Sequence, residues 1–446
     1  MCIIGTQDTA GARSDRPTLS WVASYTDGLP VTSRVALQRA ADMRVGIVGG
    51  SIAGCAAAAL LHGAGHDVTV FERSESGLVS RGAGILMLTA SWQDMTARGL
   101  LDETVPACRA GYSRVVTRAA GTGRQRWLGD VQMSSMLFNW AHLYQSLRRR
   151  VPDDLYRNGS AIKRIEATAR STTLHLDPGG SLDFDLIVCA DGYRSQGRGF
   201  IDPGAAPAYR GIVLWRGLLP ERDTGAGALG GCDLLRPVYQ GGHGVAYYVP
   251  GPGQGTEPGE RLLMWGYYLQ VPESALAPVL VDDQERQQSG AVPFGKVHPE
   301  VRAALESRLA GLLPSPLFEL VQKSGNSSIQ AIYSFVSRSY VRDRLCLVGD
   351  SGTLAPPFAG SGVLRALTSA ASLADALAGA PAVDDALRQW NEAQIQDAAQ
   401  VIPNAEGIER SYVFGMPDFT AMSTTAANDW ISAAYAGFAV TLPDAA

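Results

Sequence analysis

Three separated segments of the chain set glycine beside acidic residues in ways that suit a ligand carrying phosphates and sugar hydroxyls. The first is Gly49-Gly50-Ser51-Ile52-Ala53-Gly54, with Glu72-Arg73 further along. In such a turn Gly49 permits the tight bend, Gly54 lets helix and strand pack closely, and the helix N-terminus offers free N–H groups to a pyrophosphate. An acid at Glu72 accepts hydrogen bonds from a ribose and favours an unphosphorylated one, as in FAD or NAD. Ser51 stands where a middle glycine is usual, so close backbone approach loses some room. The second segment is Ala190-Asp191-Gly192-Tyr193-Arg194-Ser195-Gln196-Gly197-Arg198, and the third is Gly349-Asp350 followed by Pro356-Pro357-Phe358-Ala359-Gly360-Ser361-Gly362-Val363. Asp350 can accept from a ligand's hydroxyls, or can serve as a helix cap or turn aspartate. Asp191 with Arg198 can equally be an Asp-Gly turn carrying a surface arginine.

Each segment needs an element to aim it. Residues 43–48 read as a buried parallel strand, 55–63 as an alanine-rich helix and 68–71 as a second strand, which together make a βαβ unit. Residues 182–189 form a strand pattern ending at Asp191, and 345–348 form another ending at Gly349-Asp350, the carboxyl edge where ligands of such sheets bind. A helix follows to about residue 377. Gly225-Ala226-Gly227-Ala228-Leu229-Gly230 also matches a dinucleotide turn literally, but no strand directly precedes it and Pro237 follows, so it reads as a loop.

Residues 206–330 differ in character, with short aromatic strands at 245–249 and 262–269 divided by Pro/Gly loops such as 250–259. Alternation places Trp265, Tyr267 and Leu269 on one face and Met264, Gly266 and Tyr268 on the other. Trp215, Tyr247, Trp265 and Tyr267 are the expected lining of an apolar aromatic pocket, with plain core as the competing role. His243, within Gly241-Gly242-His243-Gly244, reads as an exposed loop residue that could act as a base. The expected fold is α/β: a Rossmann-like FAD-binding domain with a parallel sheet, plus a mostly antiparallel substrate domain. The expected division is an extension at 1–42, the FAD-binding domain at 43–205 and 331–382, the substrate domain at 206–330, and a C-terminal helical segment at 383–446. Residues 1–42 lack periodicity; Met43 could be the natural start.

A net charge of −5 argues against nucleic acid as a partner, because no basic surplus exists to neutralise phosphates. The six cysteines are scattered with no C-x-x-C pair, which fits reduced, buried thiols and a cytoplasmic location. The apolar stretch 45–61 is too short and glycine-rich to span a membrane, and no signal-peptide pattern opens the chain. No metal-ligand cluster and no nucleophile elbow occurs; the Gly360-Ser361-Gly362 spacing is wrong for one.

In order and separation, the three segments resemble the signatures of class A flavoprotein monooxygenases, the group with the para-hydroxybenzoate hydroxylase fold. The resemblance covers about residues 43–418. Within that group the dihydroxypyridine hydroxylases share Gly49-Gly50-Ser51-Ile52, Tyr209-Arg210-Gly211 through Trp215-Arg216-Gly217, and Phe414-Gly415-Met416-Pro417. The resemblance implies FAD as the cofactor, NADH or NADPH as a transient reductant without a Rossmann domain of its own, and O2 and a small molecule as partners of a monomer or homodimer. It implies hydroxylation of an aromatic or heteroaromatic ring through a flavin C4a-hydroperoxide; epoxidation or Baeyer–Villiger oxidation of a biosynthetic intermediate, and a flavin oxidase or dehydrogenase, remain open. It assigns Asp350 to the ribityl chain, the helix after Gly360 and Gly362 to the flavin edge, and Asp191 and Arg198 to the neighbourhood of FAD and the nicotinamide path. Arg81 matches a loop near the isoalloxazine and pyrophosphate, or is a solvated arginine. Trp140 stands where many relatives carry an arginine, and Ser351-Gly352-Thr353 stands where many carry Ala-Ala-His. No residue is singled out as catalytic.

Overall fold

The computed structural model describes residues 43–78, 84–168, 171–225, 227–436 and 438–443. Residues 1–42 and Arg81 lie outside them. Two sheets organise the chain. The first has six strands in the order Val341–Arg342, Leu345–Leu347, Leu186–Cys189, Arg44–Val48, Asp67–Phe71 and Tyr156–Arg157, parallel except at the Val341 edge. Its central strands are short apolar runs buried along nearly their whole length, as a sheet covered on both faces requires. The helix Ile52–Gly63 packs on it beside the helix Gly362–Gly379. A three-stranded sheet (Ala161–Ala167, Thr172–Asp177, Ser181–Phe184) brings Phe184 against the open face of Gly46. The single strand expected over 182–189 is therefore two, broken at Asp185, whose N–H donates to the Arg44 carbonyl and whose carboxylate accepts the Arg44 N–H.

The second sheet has eleven strands. Its main path runs Ala291–Val292, Asn326–Val336, Ala208–Pro220, Leu262–Gln270, Gly242–Val249, Leu234–Tyr239, Ala107–Arg118, Gln125–Asn139 and Val440–Thr441. Neighbours are antiparallel except Leu234–Tyr239 beside Ala107–Arg118. Gly84–Leu88 joins the Gln125–Asn139 strand. Segment 43–205 thus supplies strands to both sheets, which its hydrophobic pattern alone did not reveal. One face is sealed by the helices Pro299–Ala310 and Ser315–Lys323, whose Leu305, Leu309, Leu317, Leu320 and Val321 enter one cluster with Trp215 and Trp265.

The C-terminal helix, expected over 384–400, runs from Val383 to Glu409 and ends in a π-turn, Arg410–Phe414. Trp390 anchors its first half in the core of the first sheet, while Ile408 and Tyr412 pack on the second. The remaining tail forms the helix Thr424–Ala434 and the edge strand Val440–Thr441. Among the described residues no helix is long and apolar enough to cross a membrane.

Candidate active site

The three sequence segments meet at the carboxyl edge of the first sheet, and glycine is what lets them meet. Gly49 has φ +97°, and a Cβ there would lie 2.5 Å from the Ala190 carbonyl oxygen and 2.9 Å from the Asp191 Cα. The first segment therefore touches the second. Gly54 sits over the Gly49 carbonyl oxygen, which a Cβ would overlap. Gly349, at φ +62°, lies against Ala53 of one helix and Ala366 of the other, so the third segment touches the first.

The acidic groups have definite partners. Glu72 is buried and accepts the Gly50 N–H at 3.0 Å and the Ser74 N–H at 2.9 Å, which fixes its carboxylate beside the turn. Arg73 is exposed next to it. Asp191 accepts the Gln196 N–H through Oδ2 at 2.8 Å, while its buried Oδ1 has no hydrogen-bond partner among the described residues. Burial raises its pKa, against hydrogen bonds from Ser195 and Gln196. Solvent reaches Asp350, yet protein atoms crowd it, and that desolvation raises its pKa against the opposing charge of Arg365. Arg365 is buried in the first turn of the Gly362–Gly379 helix, with Asp397 at 3.8 Å.

Both helices that begin here, Ile52–Gly63 after Ser51 and Gly362–Gly379 after Ser361, start without a side-chain cap. Their first N–H groups and partial positive charge are available to anionic groups of a ligand. Pro357 opens a short turn that ends at Gly360 in the left-handed region, where a Cβ would stand 3.1 Å from the Leu86 carbonyl oxygen. Val363 is buried in the first turn of the helix beyond it. Trp140 begins the helix Trp140–Arg148 and stacks on Tyr144 at 5.2 Å. The donor set, the glycine cradle and the orphaned Asp191 oxygen fit a flavin dinucleotide. Arg198 is otherwise engaged: buried, it donates to the carbonyls of Tyr193 and Ser351 and lies 4.6 Å over Phe335. It splices the second segment to the third and is no surface arginine.

The aromatic lining needs correction. Trp215, Trp265 and Tyr267 are fully buried and pack on one another, Trp215 edge-on to Trp265 at 5.2 Å and Trp265 stacked on Tyr267 at 5.5 Å. They occupy the face sealed by the two helices, so they are core. Alternation separated the faces correctly, but the helices choose which one is closed. The other face, with Leu214, Arg216, Met264, Gly266, Tyr268, Tyr247 and His243, looks toward the cofactor segments. Tyr247 is on this side, its ring close to Gly84.

Phe358 of the third segment packs on Tyr268 at 4.8 Å and near His243 at 5.7 Å, and Tyr412 and Val413 of the π-turn complete that wall. Sequence reasoning did not name Phe358, Tyr268, Tyr412 or Val413 as lining, although Phe358 lies inside a motif it named. His243 is not a loop residue: it lies in the Gly242–Val249 strand, buried, stacked on Tyr268 at 4.8 Å. Its Nδ1 is 3.2 Å from the Tyr412 carbonyl, which can only accept, so Nδ1 carries the proton. Burial, then the charge of Arg236, lowers its pKa to about 3.

Residues 209–334 match the "FAD binding domain-like" family, and residues 47–78 the "NAD(P)-binding Rossmann-like domain" family. The chain is 24% identical to 2,6-dihydroxypyridine 3-monooxygenase of Paenarthrobacter nicotinovorans over 79% of its own length and 87% of the relative's. It is 26% identical to 3-amino-4-hydroxybenzoate 2-monooxygenase of Streptomyces cremeus, over 84% and 89%. The structure of 2,6-dihydroxypyridine-3-hydroxylase from Arthrobacter nicotinovorans superposes with a TM-score of 0.78 at 21% identity, covering 91% of this chain and 98% of that one. Fold, motifs and relatives together mark the chain as an FAD-dependent monooxygenase with NAD(P)H as reductant, similar to the class A group.

Proposed function

We propose that the chain hydroxylates a small aromatic or heteroaromatic ring. One observation carries this reading: the loop leading into the Gly362–Gly379 helix lays Phe358 directly on Tyr268 and near His243, so the cofactor segments face an aromatic wall. The names of the relatives, one acting on a dihydroxypyridine and one on an aminohydroxybenzoate, support the ring class.

Gly49, Ser51, Ile52, Ala53 and Gly54 would hold the pyrophosphate, and Glu72, with Arg73 beside it, the adenosine ribose. This is the same βαβ unit that matches the NAD(P)-binding family, so the reductant binds elsewhere and transiently. Trp140 and Asp191 would flank the dinucleotide, Gly349 and Asp350 would meet the ribityl chain, and Pro357, Gly360, Gly362 and Val363 would set the helix end against the flavin edge. When bound and reduced, FAD supplies the activation of O2 and the transfer of one oxygen atom.

The chain's own residues position the ring and exclude water. Burial raises the pKa of Tyr247, and that of Tyr268 to about 12, so both hydroxyls stay protonated and can donate to a ring oxygen or nitrogen. With Nδ1 protonated, neutral His243 keeps Nε2 as an acceptor. A nitrogen with a pKa near 3 accepts a hydrogen bond but takes no proton at neutral pH, so His243 orients and does not act as the base.

The test is a screen of phenols and hydroxypyridines for stimulated NAD(P)H oxidation, followed by turnover of the best one under labelled O2. One labelled oxygen atom in the product is expected. Stoichiometric H2O2 with no label in any product would leave an oxidase. The true substrate should also accelerate anaerobic flavin reduction at least about tenfold, roughly 1.4 kcal/mol of barrier.

A further inference from the structure

The Gly50 peptide is held from both ends. Its N–H donates to Glu72 at 3.0 Å, and its carbonyl accepts from the Tyr156 hydroxyl at 2.8 Å and the Cys55 thiol at 3.2 Å. All three side chains are buried. A Cβ at Gly50 would overlap the Tyr156 hydroxyl and ring, so the tyrosine fills the space that a side chain here would need. Tyr156 stands on the short edge strand Tyr156–Arg157, beside Val70 of the strand Asp67–Phe71.

The tyrosine has support of its own. A carbonyl can only accept, so the single proton of the Tyr156 hydroxyl goes to Gly50. The Tyr144 hydroxyl, 3.3 Å away, therefore donates to Tyr156. Burial raises the pKa of both phenols, which keeps both protons in place. Trp140 stacks on Tyr144 at 5.2 Å, and the Arg148 guanidinium lies 4.0 Å over the Tyr156 ring. Arg148 is fixed in turn by the Val151 carbonyl at 2.6 Å and Asp153 at 2.7 Å. A relay thus runs from Trp140 through two tyrosines to the glycine turn. At its ends lie two departures from the class A pattern, Trp140 in place of an arginine and Ser51, next after Gly50, in place of a glycine. With a side chain at 51 the turn has less room near a ligand, so the direction of its N–H groups matters more. A buried network of hydrogen bonds holds a peptide in one orientation.

We propose that Tyr156, backed by Tyr144, is a positioning residue for FAD, and that Gly50 is glycine to admit the Tyr156 hydroxyl and not to admit the cofactor. This rests on the assignment of the turn to the FAD pyrophosphate made above. Tyr156→Phe keeps the ring under Arg148 and loses the hydroxyl. Its apoprotein should match the parent by circular dichroism. Reconstituted with FAD, it should bind the cofactor about tenfold more weakly, and the phosphorus NMR resonances of the bound pyrophosphate should move. Gly50→Ala should also lose at least about tenfold in FAD affinity. Adding Tyr156→Val to Gly50→Ala should recover part of that loss, because the obstructing ring is gone. Should Tyr156→Phe fail to fold, Tyr144→Phe carries the test. It removes the donor behind the Tyr156 hydroxyl, and should move the same resonances with an affinity loss of about threefold.

Parent-like affinity, within about twofold, with unmoved phosphorus resonances in Tyr156→Phe would overturn the proposal. A Gly50→Ala defect of the same size with and without Tyr156→Val would overturn it too, leaving Gly50 glycine for the cofactor's sake. A loss in Gly50→Ala beside a silent Tyr156→Phe would keep the turn as the FAD site and remove Tyr156 from it. Parent-like FAD binding by Gly50→Ala would sink the turn assignment itself, and the role of Tyr156 with it.

Discussion

Gly54→Ala sets two physical effects against each other. Alanine is the better helix former by about 1 kcal/mol, so by propensity the change should stabilise the Ile52–Gly63 helix. The structure gives the opposite sign, because the new Cβ would overlap the Gly49 carbonyl oxygen, with the Ala190 side chain next at 3.5 Å. Neither neighbour is the free end of a flexible side chain. The turn must open, and Gly49 cannot retreat because its own Cβ position already abuts Ala190 and Asp191. Overpacking of this kind costs about 1–3 kcal/mol, and opening the turn withdraws the N–H groups expected to meet the pyrophosphate. Loss of about 1.4–3 kcal/mol in FAD binding corresponds to roughly tenfold to a hundredfold in Kd. The assay is reconstitution of apoprotein with FAD followed by flavin fluorescence, with melting temperature measured alongside. Gly227→Ala is the control: nothing lies within 4 Å of a Cβ there, and its φ of +70° adds a backbone strain that Gly54→Ala does not have, so any cost at Gly227 is strain without contact and should leave flavin binding unchanged. Gly54→Ala protein with full flavin occupancy and a Kd within about twofold of the parent would refute the assignment of this turn to FAD.

Asp350→Ala should lower FAD occupancy after purification, by about tenfold in Kd if two ribityl hydrogen bonds are lost, and should leave the helix content seen by circular dichroism unchanged. His243 titrates lower in the fold than in the unfolded chain, so its contribution to stability is complete above about pH 6.5 and is lost as pH falls toward about 3. His243→Gln should therefore flatten the acid limb of stability by up to about 1.4 kcal/mol per pH unit across that window, read by denaturant melts at several pH values; parallel limbs would show that the imidazole is not buried neutral. Trp265→Phe should lower the melting temperature modestly without changing the affinity for substrate, whereas Phe358→Ala should weaken substrate binding with a smaller effect on stability. The opposite pattern would mean that the sealed face, and not the open one, lines the pocket.

The cofactor segments were legible because their chemistry is local. A left-handed glycine, a helix start and a strand-end aspartate are adjacent in sequence, and the contacts of Gly49 with Ala190 and of Gly349 with Ala53 join three such units. The faces of the aromatic strands were legible too, since a two-residue period separates Trp265 and Tyr267 from Tyr268 without further information. Which face meets the ligand was not, because that is decided by the helices Pro299–Ala310 and Ser315–Lys323, far along the chain from the strands they cover. His243 was misplaced for a related reason. Its flanking glycines read as a loop, but Gly244 lies where a side chain would strike the ring of Tyr267, and glycine lets that strand pass.

The least legible part of the site is the one supplied from farthest away. Tyr412 and Val413 reach the aromatic wall because the Val383–Glu409 helix spans both sheets and then widens into a π-turn at Arg410–Phe414. Arg210 fixes that end, binding Glu409 at 2.8 Å and Glu406 at 3.1 Å, while the Gln270 side chain donates to the Val413 carbonyl. A helix read from its amphipathic pattern is expected to stop when the pattern stops, and a π-turn leaves no such signature. The Arg210–Glu409 pair could still have been suspected, since Arg210 lies within the Tyr209-Arg210-Gly211 segment singled out in the sequence. Its partner is nearly two hundred residues away, and only the fold brings the two together to lock the wall against which the substrate would rest.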